Sequence, residues 1–312
     1  MNKKVAVIGE CMLELSVEAH EKTDSQPDST LSYGGDTLNT SVYLSRLGVE
    51  VEYITALGDD RMSDWLQAQW QIEGVGTKHV QRYANSVPGL YMIELDDQGE
   101  RSFLYWRKDS PATRIFNQAE SANQLFEQIQ DYTWIYLSGI TLALYPDEAR
   151  ERLFAGLQNY RKHGGKIIFD NNYRPAQWLN TSKAKTVYEK MYGLTDLALP
   201  SLEDELLVSG LENQDDVIKR LEDFGITEIV LKMGEKSCLV IVDDVREYVN
   251  TEKVNVVDTT SAGDSFNAGY IAARLNDHTP VQSCTTGHQL ASTVIQQKGA
   301  IIPKSMMPAL RL

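Results

Sequence analysis

Short apolar runs alternate along this chain with segments of helical periodicity, and that alternation limits the possible folds more than any other feature. Apolar runs of about four to eight residues are typical of parallel strands that are buried on both faces. Segments 146–163 and 213–224 have helical character, and each is followed by a glycine, as helices often are. The sequence therefore predicts an α/β fold, a doubly wound and mostly parallel sheet flanked by helices, with right-handed crossovers. The predicted strands are residues 5–8, 134–137, 166–169, 197–199 and 228–231.

A second group of strands is predicted from alternating polar and apolar residues. These segments have the pattern of half-exposed strands and are residues 13–17, 90–95 and 102–106. A turn at 96–99 joins the last two. We expect these strands, inserted from about 12–34 and 88–108, to form a small β-sheet lid over one end of the main sheet. The whole chain, 1–312, is then a single domain, and the polar stretch 20–32 is interpreted as a linker.

The charge of the chain disfavours two classes of partner. Thirty Lys and Arg against 44 Asp and Glu give a net charge of -14, which repels nucleic acid and anionic lipid alike. No run approaches the roughly 18 apolar residues that a membrane-spanning helix needs. Three scattered cysteines are too few for a disulfide framework. We therefore expect a cytoplasmic protein without nucleic-acid or membrane partners, whose anionic ligands are bound by a few placed cations.

The segment 258–266, DTTSAGDSF, leads a run of small residues directly into a helical pattern. Small side chains let the amides at a helix N-terminus approach an anion, which the helix dipole also favours. Asp264 lies in the first turn, where its carboxylate is placed to accept a proton from an attacking hydroxyl. An ordinary N-capped helix is the alternative. Because the chain has neither a GxxxxGK[ST] loop nor a GxGxxG turn, P-loop NTPases and protein kinases are disfavoured.

DTTSAGDSF resembles the C-terminal signature of the ribokinase-like (PfkB-type) carbohydrate kinases, in which glycine usually stands at the position of Ser261. The resemblance implies an ATP-dependent sugar kinase with Asp264 as catalytic base. It also implies an anion hole formed by the amides of Ala262, Gly263 and Asp264. Ser261 keeps a small side chain but lacks the access of glycine to positive φ.

The segment 33–39, YGGDTLN, resembles the sugar-binding element of the same family. Paired glycines allow a ligand hydroxyl to lie against the backbone, while Asp36 and Asn39 can fix hydroxyl groups by hydrogen bonds. Without the other motifs, a plain glycine turn explains the same residues. The predicted sugar-binding residues here are Gly34, Gly35, Asp36, Thr37 and Asn39.

A predicted lid strand ends in Tyr105, Trp106 and Arg107. A guanidinium at this place can pair bidentately with a carboxylate, which a sugar acid carries and a neutral sugar does not. A surface arginine on a strand edge is the alternative. Together with Tyr91 and GGDTLN, the motif resembles the 2-keto-3-deoxygluconate kinases of the family more than its ribokinases or fructokinases. The implied substrate is therefore a sugar acid, and the implied substrate-binding residues here are Tyr91, Tyr105, Trp106 and Arg107.

Polar residues crowd the end of the strand predicted at 166–169, where α/β sheets bind ligands. The sequence DNNYR resembles the DxNxR element of the family. The resemblance assigns a role to Asp170 and Asn172, and it makes Arg174 a bridge between substrate and ATP phosphates. A solvated loop is the alternative.

The segment after the strand at 228–231 resembles the nucleotide loop of the family, K-x-G-x-x-G, with Ser237 in place of the last glycine. The predicted ATP-binding residues are Asn172, Arg174, Lys232, Gly234, Glu235, Lys236, Ser237, Ser261, Ala262, Gly263 and Asp264, and those near adenine are Gly287, His288 and Ser292. Asp204 takes the place of the glutamate in the N-x-x-E element, in which Ser201 replaces the asparagine. The resemblance implies that Asp204 holds Mg²⁺ through a water molecule. A helix start that favours acidic residues is the alternative.

The motifs occur in the order of the family, from about residue 5 to residue 303. They imply transfer of a phosphoryl group from ATP, with Mg²⁺, to the C6 hydroxyl of 2-keto-3-deoxygluconate. Two alternatives remain: a kinase for a neutral sugar such as fructose or ribose, and a sugar-acid sensor without catalysis. Lid strands with an exposed face also suggest a homodimer formed through the lid.

Overall fold

The computed structural model describes residues 4–17, 29–95, 101–243 and 245–312. The strands are β1 Lys4–Ile8, β2 Met12–Val17, β3 Ser29–Gly34, β4 Glu50–Ile54, β5 Ala56–Gly58, β6 Gln81–Tyr83, β7 Leu90–Leu95, β8 Arg101–Trp106, β9 Trp134–Ser138, β10 Lys166–Asp170, β11 Leu197–Ala198, β12 Glu228–Lys232, β13 Ser237–Val242 and β14 Val245–Asn250. The helices are α1 Asp36–Arg46, α2 Arg61–Ile72, α3 Ala119–Gln128, α4 Gly139–Leu144, α5 Asp147–Lys162, α6 Thr181–Tyr192, α7 Leu202–Ser209, α8 Gln214–Asp223, α9 Ala262–Leu275 and α10 Pro280–Val294.

The main sheet has the strand order β14-β13-β12-β11-β10-β9-β1-β4. From β12 to β4 all neighbours are parallel, and β13 and β14 add an antiparallel hairpin at one edge. The five predicted parallel strands are confirmed as β1 and β9 to β12. The edge strand β4 was missed because Glu50 and Glu52 interrupt its apolar run. The predicted mostly parallel α/β fold is confirmed.

Each face of the main sheet is covered by its own apolar core. On β1, Ala6 and Ile8 belong to one core and Val5 and Val7 to the other, and all are inaccessible to solvent. Helices α3, α5, α6 and α8 pack on the first face, and α1, α2, α9 and α10 on the second. Burial on both faces explains why the strands read as apolar runs rather than as alternating patterns.

A smaller sheet has the order β3-β2-β7-β8. Its strands include the three segments that were predicted from alternation, and β2 pairs with β7 in parallel, so that Leu13 lies opposite Leu90. Residues 29–32 were predicted to be linker, and this was wrong: they form β3, in which Thr30 pairs with Ser16. The hydrogen bonds of β3 come from β2, which local composition does not reveal. The predicted turn at 96–99 and the linker residues 20–28 lie outside the described residues.

Three neighbouring strands, β1, β9 and β10, run parallel and end at the same edge of the main sheet. Helices α1 and α9 pack against each other beside this edge. Within the described ranges, no helix is long and apolar enough to cross a bilayer.

Candidate active site

A cavity of about 1410 Å³ lies at this edge, between the main sheet and the smaller one. Tyr91 and Tyr105 of the smaller sheet line it on one side, and Asp170 at the end of β10 lines it on the other. The first turn of α9, with Asp264, is also part of the wall. Strand ends, a helix N-terminus and the small sheet thus enclose one space, as ligand sites in α/β folds do.

Asp264 is buried in the first turn of α9 and is held by α1. Its Oδ2 accepts a hydrogen bond of 2.9 Å from Asn39 Nδ2, and its main-chain oxygen accepts one of 3.2 Å from Thr40 Oγ1. Burial raises the pKa of the Asp264 carboxyl to about 7, the charge of Asp36 adds to the rise, and the hydrogen bond from Asn39 opposes it. A carboxylate that gains a proton near neutral pH is suited to general-base catalysis.

The start of α9 presents amides toward the cavity. The first helical hydrogen bond is donated by the Ser265 amide to the Ser261 oxygen at 2.9 Å, and the Ala262 amide donates to the Thr259 oxygen at 3.2 Å. The amides of Gly263 and Asp264 precede the first helical bond of their turn, so an anion at the N-terminus can accept from them. This geometry favours Gly263 and Asp264 over Ala262 as anion donors.

Ser261, immediately before α9, has φ 65° and ψ 14°, which is left-handed backbone. The position thus has the conformation that the glycine of the family signature adopts easily, although a serine occupies it. Strained backbone of this kind persists only where surrounding structure imposes it. The substitution of serine for glycine therefore leaves the loop in a left-handed conformation.

Carboxylates and amides form a network on the floor of the cavity. Asn172 Nδ2 donates to Asp36 Oδ2 at 2.7 Å, and Asn267 Nδ2 donates to Asp170 Oδ2 at 2.8 Å. Burial raises the pKa of Asp36, and the nearby charge of Asp170 adds to the effect. Asp36 and Asp170 are thus held near each other, and the charge of Asp170 raises the cost of ionising Asp36.

Lys232 joins this network from the end of β12. Its Nζ lies 3.2 Å from Asp170 Oδ1 and 3.0 Å from Asn267 Oδ1. The same Nζ would lie 3.7 Å from a Cβ built on Gly263, so the ammonium faces the first turn of α9. A cation beside a helix N-terminus reinforces the attraction for an anion there.

Arg174 and Asp204 face each other across the cavity rim, with 3.6 Å between Nη1 and Oδ1. Asp204 Oδ2 also accepts a hydrogen bond of 3.2 Å from the Tyr173 amide. Burial raises the pKa of Asp204, and the Arg174 charge opposes the rise. Arg174 is half exposed, so its guanidinium has room to turn toward a phosphate.

Arg107 follows β8 and forms an ion pair with Glu10, which follows β1. Both side chains line the cavity at the end where Tyr91 and Tyr105 lie. Tyr91 also donates a hydrogen bond to Glu14 of β2. The strand-end arginine is thus directed into the cavity and already has one carboxylate partner.

The chain resembles known carbohydrate kinases over nearly its whole length. The profile described as pfkB family carbohydrate kinase matches residues 2–306. The chain is 44% identical to the 2-dehydro-3-deoxygluconokinase of Dickeya dadantii (strain 3937), over 98% of this chain and 99% of that protein. It is also 44% identical to the 2-dehydro-3-deoxygluconokinase of Escherichia coli (strain K12), over 99% of this chain and 100% of that protein.

The chain belongs to the pfkB family of carbohydrate kinases.

The fold of this pfkB kinase is also found among solved structures. A putative ribokinase II from E. coli, solved in complex with ATP and Mg²⁺, superposes with a TM-score of 0.84 at 21% identity, over 96% of this chain and 94% of that one. At this identity the likeness shows the ribokinase-like fold alone.

Most of the predicted site residues of the pfkB kinase line one cavity, and these are Gly35, Asp36, Asn39, Tyr91, Tyr105, Arg107, Asn172, Arg174, Asp204, Lys232, Gly234, Glu235, Lys236, Ser237, Ser261, Ala262, Gly263, Asp264, His288 and Ser292. Four predicted residues do not line it. Thr37 is buried, and its hydroxyl lies 3.0 Å from the Tyr53 hydroxyl. Gly34 packs against Tyr91, and Gly287 against Phe266. Trp106 does not line it because neighbouring residues of a strand point to opposite faces.

Several lining residues were missed. Phe103 shares the face of Tyr105 two residues later, so strand alternation could have revealed it. Glu10 follows the end of β1, just as Asp170 ends β10, and the same rule about strand ends could have found it. Val254 and Val256 line the cavity from an irregular segment without a recognisable pattern.

The residues of the pfkB kinase fit a nucleoside triphosphate with Mg²⁺. The α9 N-terminus and Lys232 suit phosphates, and the apolar Val256 and Ile295 line the neighbouring space, where a base could pack. Within the described ranges, no cluster of three or more His, Cys, Asp or Glu side chains could hold a metal ion. Mg²⁺ needs only one or two carboxylates when phosphates and waters complete its coordination, and Asp204 meets that need.

Proposed function

We propose that this pfkB kinase phosphorylates the C6 hydroxyl of 2-keto-3-deoxygluconate, also called 2-dehydro-3-deoxygluconate, with ATP. The products are the 6-phosphate and ADP. The observation that carries the proposal is the buried Asp264 beside the open amides of α9, in a cavity that also contains Arg107. The relatives at 44% identity, which are named 2-dehydro-3-deoxygluconokinases, support the choice of substrate.

Asp264 acts as the general base in the proposed reaction. Its carboxylate accepts the proton of the C6 hydroxyl while that oxygen attacks the terminal phosphorus of ATP. The hydrogen bond from Asn39 keeps Oδ2 in place. The amides of Gly263 and Asp264 and the Lys232 ammonium offset the negative charge that grows on the transferred group.

Mg²⁺, when bound, neutralises phosphate charge, and Asp204 would hold it through water. Arg174 would leave Asp204 for the phosphates, because a bidentate contact with phosphate is stronger than the pair at 3.6 Å. Asp36 and Asn172 are linked to each other and bind sugar hydroxyls in this proposal. Arg107 binds the carboxylate, and Tyr91 and Tyr105 flank the sugar.

The smaller sheet acts as a lid within one domain of residues 1–312, with its strands inserted from about 12–34 and 88–108. Its inner face lines the cavity, so closure over the substrate would exclude water from the phosphoryl group. Its outer face carries the exposed apolar residues Leu31, Leu104 and Trp106. A second copy of the chain, docked on this face, would cover them and form a homodimer.

A cytoplasmic location is part of the proposal. It is supported by three cysteines that are buried and unpaired, a state that a reducing compartment preserves.

One observation favours a neutral sugar as the alternative substrate: Glu10 already neutralises Arg107. An ADP-release assay with MgATP against 2-keto-3-deoxygluconate, fructose and ribose separates the possibilities. We expect turnover with the acid only, and a loss of kcat of about a thousandfold in Asp264→Asn. Turnover with a neutral sugar would refute the role of Arg107. Binding of the acid without turnover by the wild type would indicate a sensor instead.

A further inference from the structure

The ion pair between Glu10 and Arg107 joins the two sheets at the sugar end of the cavity. Glu10 follows β1 of the main sheet, and Arg107 follows β8 of the smaller one. The Glu10 side chain is only 1% exposed, and that of Arg107 is 16% exposed. A buried carboxylate at this position depends on its cation, because burial without a partner is costly.

The Glu10 side chain has little freedom to leave this position. A Cβ on Gly89 would lie 3.2 Å from Glu10 Oε1, and a Cβ on Gly35 would lie 2.3 Å from the Glu10 main-chain oxygen. Both glycines therefore let their backbone pack closely around Glu10. With only 1% of its side chain exposed, Glu10 is held beside Arg107 by the surrounding backbone.

The guanidinium of Arg107 has more hydrogen-bond donors than Glu10 can accept. It carries five N–H groups, and Nη2 makes the contact with Glu10. One carboxylate uses at most one edge of the planar group, which leaves another edge for a second carboxylate. Asp36 also lies at this end of the cavity and is an alternative partner for an arginine that nothing holds.

We propose that Glu10 is a positioning residue, which anchors one edge of the Arg107 guanidinium so that another edge meets the carboxylate of the substrate. The inference rests on the proposed function, in which Arg107 binds that carboxylate. This role explains why Arg107, the proposed partner of the substrate carboxylate, is also paired with a carboxylate of the protein. Glu10 thereby contributes to selection of sugar acids without touching them.

The test is Glu10→Gln, which keeps the shape of the side chain and removes its charge. We expect the KM for 2-keto-3-deoxygluconate to rise about tenfold, the effect of one weakened charge-assisted contact. The KM for MgATP and kcat should change less than about twofold, because none of the residues proposed to bind ATP is changed. A KM for the acid that falls or stays constant would overturn the proposal, since a competing Glu10 would give that result.

A matched control is Glu52→Gln, which also removes a buried carboxylate but lies on β4 and accepts from the His79 amide at 2.9 Å. It should leave both KM values unchanged. If Glu10→Gln folds poorly, Glu10→Asp keeps the charge on a shorter stem, and its KM for the acid should lie between those of wild type and Arg107→Gln.

Arg107→Gln separates this inference from the proposed function. If that variant leaves the KM for the acid unchanged, the role of Arg107 itself is wrong. If it raises KM while Glu10→Gln does not, only the role of Glu10 is wrong. The double variant Glu10→Gln with Arg107→Gln should be no worse than Arg107→Gln, because Glu10 acts through Arg107.

Discussion

At the scale of single residues, the environment of Asp264 determines how the kinase should respond to pH. Burial and the charge of Asp36 both favour its protonated form, and the hydrogen bond from Asn39 favours the ionised form. The proposed base works only when ionised. The pKa of about 7 therefore places its loss of function near neutral pH rather than near the ordinary range of aspartate.

We predict that kcat/KM for the sugar acid falls about tenfold per pH unit below about pH 7 and is constant above it. The measurement is kcat/KM between about pH 5.5 and 9 at constant ionic strength. Asn39→Ala removes the hydrogen bond that stabilises the ionised form, so its acid limb should shift to higher pH. A limb near pH 4 in the wild type would contradict the assignment of Asp264.

At the scale of elements, α9 is the helix on which the site depends, and its position is fixed by close contact with α10. A Cβ on Gly269 would lie 2.9 Å from Gly287 Cα and 3.0 Å from the Thr286 oxygen. These neighbours are backbone atoms that cannot move without separating the helices. Gly269 and Gly287 allow α9 and α10 to approach closely. Neither residue has positive φ, so the need for glycine comes from space and not from backbone conformation.

We predict that Gly269→Ala lowers the free energy of unfolding by about 1–3 kcal/mol, because the added methyl forces the helices apart. Urea denaturation measures the change. The control is Gly193→Ala, whose Cβ would have its nearest atoms at 3.6 and 3.7 Å and should change stability by less than about 0.5 kcal/mol. Equal stability of the two variants would show that the contact between α9 and α10 is not tight.

At the scale of the whole molecule, the smaller sheet has two faces with different surroundings. Tyr91 and Tyr105 point into the cavity, whereas Leu104 and Trp106 point away from it. Trp106 is 54% exposed and Leu104, two residues earlier on the same face, is 42% exposed, which places two large apolar side chains side by side in solvent. Their exposure is the basis for the proposed homodimer.

We predict that the wild type is a dimer in solution and that Leu104→Ser with Trp106→Ser converts it to a monomer. Size-exclusion chromatography with light scattering measures the mass directly. The control Leu179→Ser changes a side chain that is 91% exposed elsewhere and should leave the dimer intact. A wild type that is monomeric at micromolar concentration would refute the proposed interface.

The parts of this protein that the sequence predicted are those that depend on neighbours along the chain. Strands β1 and β9 to β12 were predicted because burial on both faces forces apolar residues into every position of a short run. The helix with Asp264 in its first turn was predicted because a run of small residues leads directly into a helical pattern. Resemblance to the family then supplied roles for these residues that composition could not.

The tertiary structure decided whatever depends on contact between distant segments. Residues 29–32, predicted to be linker, form part of β3, because β2 provides the partner strand with which they pair. The tertiary structure also put Trp106 outside the cavity, and it paired Glu10 with an arginine from the other sheet. Local sequence determines which face a residue prefers and how a segment folds, because those preferences arise within a few residues. The pairing of Glu10 with Arg107 forms only when the two sheets pack together, because the two residues are far apart in the chain.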